Sequence, residues 1–71
     1  MKKFRVKDLD GFENSVFGAD DLLELFPALT TSGVSLVQQG SNYYVTDSKG
    51  NIVSDCTFFS EEEMQYMEEI I

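Results

Sequence analysis

Apolar and polar positions alternate at the start of the chain, where Phe4 and Val6 are interleaved with Lys3, Arg5 and Lys7. That period of two predicts a strand with Phe4 and Val6 facing a core. Asp10-Gly11 follows, and an Asp-Gly pair between apolar-containing runs suits a tight primed turn because Gly tolerates positive φ. A two-residue loop there sets Leu9 opposite Phe12 and Phe4 opposite Phe17, but also Asp8 opposite Glu13, a like-charge pair that costs stability. A hairpin that makes residues 12–17 a second strand and an irregular loop both satisfy this segment.

Ala19 to Phe26 reads as a short helix. Asp20 and Asp21 lie where acids complement the positive end of the helix dipole, and Leu22, Leu23 and Phe26 share one side. Pro27 stops it, because the residue before proline is pushed out of the helical region. Residues 34 to 59 read as a three-stranded antiparallel meander. Gly40-Ser41 supplies a type II′ turn between Val34–Gln39 and Asn42–Asp47, and the resulting register pairs Val37 with Tyr44 and Leu36 with Val45. Asp47-Ser48-Lys49-Gly50-Asn51 is the second turn, and Ile52 to Phe59 is the third strand.

The last segment carries the most explicit local signal. Ser60 and Glu63 have the spacing of a capping box, and Phe59 and Met64 that of a hydrophobic staple. They predict a final helix in which Met64, Met67 and Ile71 form a stripe with Ile70 and Tyr66 beside it. Glu61, Glu62, Gln65, Glu68 and Glu69 occupy the opposite arc. The expected order is β(β)αβββα: one α+β domain over residues 1–71, a small antiparallel sheet made of the three-stranded meander plus the N-terminal strand, with two helices on one face.

With 71 residues there is room for one hydrophobic core. One cysteine, Cys56, and no histidine leave no intramolecular disulfide and none of the usual structural zinc spacings. Stability must come from the core or from self-association, and a reducing, cytoplasmic setting is expected. No apolar run is long enough for a signal peptide or a membrane span, so a soluble, unexported protein is expected.

Charge sharpens the picture. Thirteen acids against five bases give −8, yet Lys2, Lys3, Arg5 and Lys7 all precede Asp8, so from there on thirteen acids face one base, Lys49, for −12. A chain with this balance is a poor direct ligand for nucleic-acid phosphates or anionic lipid. Without histidine, the usual nucleophile pairings for acyl transfer are missing. Cys56 reads as a buried thiol in an apolar strand. Asp8-x-Asp10-Gly11 fails as a calcium loop, since the positions for the turn Gly and the bidentate Glu hold Glu13 and Ala19. The glycines stand singly at turns, with no phosphate cradle. No catalytic, metal or cofactor-binding residues are assigned, and an enzyme is not expected.

The candidate binding residues are Glu61, Glu62, Glu68, Glu69 and Tyr44. Glu68 and Glu69 stand in the last turn of the expected helix, where negative charge is unfavourable by about 0.3 to 1 kcal/mol each. Adjacent Tyr43 and Tyr44 leave opposite faces of the sheet, so one of them should be exposed, and tyrosine is enriched at interfaces. Two functions are open. One is a non-catalytic acidic module that binds a protein with a basic surface, such as a nucleic-acid-binding protein, by mimicking nucleic acid. In size, acidity and lack of a catalytic constellation the chain resembles the small inhibitors that bacteriophages and other mobile elements deploy against host nucleases or polymerases. The other is a structural or assembly module that forms a homodimer or adds a strand to a partner sheet.

Overall fold

The computed structural model describes residues 2–70. β1 is Lys3–Val6, with Phe4 and Val6 turned inward and Lys3 and Arg5 exposed. The chain then enters a helix, α1 (Leu9–Ser15), and residues 12–17 contain no strand. Asp8 explains the difference: its Oδ1 accepts the Gly11 N–H at 3.1 Å and its carbonyl the Phe12 N–H at 2.9 Å, which makes it an N-cap. Phe12 and Val16, four apart, are both buried, so helical spacing prevails over the Asp-Gly turn signal.

The second helix, α2 (Ala19–Leu25), carries Asp20 and Asp21 in its first turn as expected, and Pro27 opens a 3₁₀ turn, Pro27–Thr30. β2 (Val34–Gln39) and β3 (Asn42–Val45) pair in the expected register, Leu36 with Val45 and Val37 with Tyr44, across a turn in which Gly40 holds φ at 65°. The third strand of the meander is shorter than Ile52 to Phe59. Thr46 bridges Ile52, but only β4 (Phe58–Ser60) forms a ladder with β3. Between them Ser54 turns the chain, its Oγ accepting the Cys56 N–H at 3.2 Å. Cys56 is consequently exposed and not the buried thiol its apolar neighbours suggest.

The final helix is replaced by one 3₁₀ turn, Glu63–Tyr66, and a fifth strand, β5 (Met67–Ile70), antiparallel to β1. The capping box itself forms: the Ser60 N–H donates to Glu63 Oε1 at 2.8 Å and the Glu63 N–H to Ser60 Oγ at 3.2 Å. Phe59 is buried and Met64 packs on the same core. Pairing with β1 then overrides helical propagation, because it sets Met67 beside Val6 and Glu68 beside Arg5. A helix would have stacked Glu68 and Glu69 against its own negative end. Ile71, expected on the Met stripe, lies outside the described residues.

The sheet order is β4-β3-β2-β1-β5, and β2 is shared between two halves: Val34 and Ser35 pair with β1, Leu36 to Gln39 with β3. Both halves face one interior, where Leu36, Val45, Phe59 and Met67 meet Phe12, Val16, Ala19 and Leu29 from the helical segments. The Phe12 and Phe59 rings lie 6.0 Å apart. The fold is α+β, an antiparallel sheet with two helices.

Candidate protein-binding surface

Glu61, Glu62, Glu68 and Glu69 lie at the two ends of the crossing from β4 to β5, which are opposite edges of the sheet. At one end the Glu61 N–H bonds the Ser41 carbonyl at 3.1 Å, and its Oε1 accepts from Gln38 Nε2 at 3.3 Å. At the other, Glu68 Oε2 meets Arg5 Nε at 2.9 Å, in a pair whose side chains are 48% (Arg5) and 41% (Glu68) exposed. Water screens such a pair, yet it spends the charge of Glu68 on the chain's own base. Glu69 is exposed opposite Phe4 in the ladder. The dipole argument for Glu68 and Glu69 lapses with the helix.

Tyr43 and Tyr44 divide as the register requires. Tyr43 turns inward, edge-on to Phe4 at 6.3 Å. Tyr44 turns outward and leans on Phe58 at 5.4 Å, and Val37, Tyr44 and Phe58 form one row across β2, β3 and β4. Val37 at 37% and Phe58 at 42% exposed leave this row partly open to solvent. Tyr44 is separated from Glu68 by β2 and β1, about 14 Å at ordinary strand spacing, so the five sequence-predicted residues form no single patch.

The acids that do share a layer are others. Asp8, Asp10, Glu13, Asp20, Asp21 and Glu24 all lie in or beside α1 and α2, all are exposed, and no Lys or Arg occurs between residues 8 and 48. Asp8, Asp20 and Asp21 suit the helix starts, but Glu13 and Glu24 sit toward C-terminal ends that carry no base. Among the described residues none of the six enters an ion pair. The turn that joins the two helices presents Phe17, 98% exposed. A helical reading of Leu9, Phe12 and Val16, with Asp8 as cap, was the signal in the sequence that could have found this layer.

Asp47 organises the turn after β3. Its Oδ1 accepts the N–H groups of Asn51 at 3.0 Å and Lys49 at 2.9 Å, and these bonds, Asn51 foremost, hold its carboxyl below the ordinary value of 3.8. It borders a cleft of about 450 Å³ lined by Lys3, Phe26, Val34, Thr46 and Val53, with its carboxylate already engaged by the turn. Among the described residues no group of three His, Cys, Asp or Glu is placed to hold a metal ion, and no helix is long and apolar enough to cross a membrane. Comparison of the chain with protein-family models, curated proteins and solved structures gave no match.

Proposed function

We propose that this chain is a non-catalytic protein-binding module whose acidic helical layer engages a basic surface on a protein partner. The observation that carries the reading is the segregation of charge: six exposed carboxylates in or beside the two helices with no base between residues 8 and 48, while Lys3 and Arg5 project from β1 and Lys7 follows it. Glu13 and Glu24 are kept against the preference of their own helices, so the layer is more acidic than capping requires. Such a layer steers association with a cationic groove and makes it salt-sensitive. A Lys- and Arg-lined site that otherwise holds nucleic-acid phosphates is the fitting partner, and the module would act in the cytoplasm as an inhibitor by occupancy.

The test is affinity capture at low salt followed by a salt gradient. A variant with Asp10→Asn, Glu13→Gln, Asp20→Asn, Asp21→Asn and Glu24→Gln should lose capture, whereas Gln at positions 61, 62, 68 and 69 should weaken it less. Captured proteins that are neither basic nor eluted by salt would overturn the reading. The row of Val37, Tyr44 and Phe58 favours a second one, an assembly module that dimerises through its outward sheet surface. A salt-resistant dimer in sedimentation would select it.

A further inference from the structure

Phe17 is the most exposed large apolar residue on the described chain, at 98%. Its position is fixed from both sides. Val16 and Ala19 are buried at 5% and 4%, the Val16 N–H bonds Phe12 O at 2.9 Å, and the Ala19 N–H bonds Val16 O at 3.2 Å. Gly18 takes φ of 72° to make the turn, and Ser15 Oγ is tied to the Tyr66 hydroxyl at 2.9 Å. Burying Val16 and Ala19 forces Phe17 and Gly18 between them outward, and any polar side chain at position 17 would serve that geometry. The chain places a phenylalanine there, with Glu13, Asp20 and Asp21 exposed within four residues of it.

We infer that Phe17 is the anchor of the interface. Its ring fills an apolar pocket on the partner protein, and Glu13, Asp20 and Asp21 meet Lys or Arg side chains on the rim of that pocket. The inference rests on the proposed function and deepens it by assigning the central contact. The backbone that carries the ring is already fixed, so docking orders little more than the ring's own two torsions, and a desolvated aromatic centre within a polar rim is the arrangement that concentrates binding energy. The surrounding charge chooses the occupant. Carboxylates beside the ring disfavour an anionic lipid surface, and a net charge of −8 sets two copies of this chain against each other, so a basic protein is the complement.

The full chain carrying a benzophenone amino acid at position 17, and separately at position 53, is photo-crosslinked in cells, and the captured protein is purified for titration. Position 17 should crosslink reproducibly and position 53 should not. Phe17→Ala should then weaken affinity by about 30-fold or more with its salt dependence unchanged, Phe17→Leu should restore part of it, and Asp20→Asn with Asp21→Asn should flatten the salt dependence. Unaltered thermal unfolding of Phe17→Ala separates this from a folding defect. Salt-sensitive binding that survives Phe17→Ala overturns the anchor and leaves the proposed function standing. Crosslinks at neither position, or binding indifferent to salt and to the acids, overturns both. Self-association of the purified chain abolished by Phe17→Ala, or Phe17-dependent co-sedimentation with phosphatidylcholine/phosphatidylserine vesicles, overturns the protein partner in favour of a second copy or a membrane.

Discussion

Replacing Gly11 by alanine sets two effects of opposite sign against each other. Gly11 lies inside α1, where alanine is favoured over glycine by about 0.8–1.0 kcal/mol. A Cβ built there, however, would stand 2.7 Å from Cδ1 and Cε1 of Tyr66 and 2.6 Å from Asp8 Oδ2. The ring has little room to retreat, since its hydroxyl is bonded to Ser15 at 2.9 Å and the Tyr66 carbonyl accepts the Lys7 N–H at 2.9 Å. Overpacking of this kind costs about 1–3 kcal/mol. Displacing the Asp8 carboxylate from its cap costs about 1 kcal/mol more. Gly11→Ala should therefore destabilise by about 1–3 kcal/mol in urea denaturation followed by circular dichroism, with an unchanged m-value. In a Tyr66→Ala background its cost should shrink by at least about 1 kcal/mol, the coupling expected of residues in contact. An alanine variant more stable than the parent, or a cost indifferent to Tyr66, would refute the packing of α1 on the β4–β5 crossing.

Gly33→Ala should be much worse than Gly40→Ala. Both glycines hold positive φ, but a Cβ at Gly33 collides with Ile70 Cδ1 and lies 3.0 Å from the Phe4 carbonyl oxygen, whereas at Gly40 it meets open space; about 1 kcal/mol is expected at Gly40 and a several-fold larger loss at Gly33, by thermal or urea unfolding. Glu63→Ala removes the acceptor of the Ser60 N–H and should cost about 0.5–2 kcal/mol, with faster hydrogen exchange along β5; unaltered exchange there would count against the capping role. Because the Asp47 carboxyl is held below 3.8 when folded, its contribution is complete above that value and lost as the pH falls through the depressed folded value. The stability difference between the parent and Asp47→Ala should therefore close only in strong acid, and a gap that persists there would refute the assignment. Arg5→Gln should cost no more than about 1 kcal/mol and less at high salt, since water reaches both members of its pair with Glu68.

What the sequence discloses depends on how local the deciding interaction is. The β2–β3 hairpin is readable because Gly40 sets the turn and the turn alone fixes which residues face each other, Leu36 with Val45 and Val37 with Tyr44. The Ser60–Glu63 box is equally local and equally real. What it cannot convey is how far a helix continues, because the next residues can satisfy either period, and a strand more than sixty residues away makes the choice. The same holds for Asp8 and Gly11, which fit a hairpin until the burial of Phe12 and Val16 decides for a helix. The candidate glutamates belong to that unformed helix, so the structure scatters them, while Tyr44, whose place follows from register, stays where β-sheet geometry puts it.

The pairing of β1 with β5 joins Lys3 to Ile70 in one ladder. β2, which pairs with Phe4 through Val34, can cover one flank of β1 early, but the other flank stays open until β5, more than sixty residues further along, comes to pair with it. Until then that flank of β1 is an unprotected edge, the circumstance in which partly folded chains adhere to one another. Contacts this distant in sequence also slow folding, because a long loop must close before they repay it.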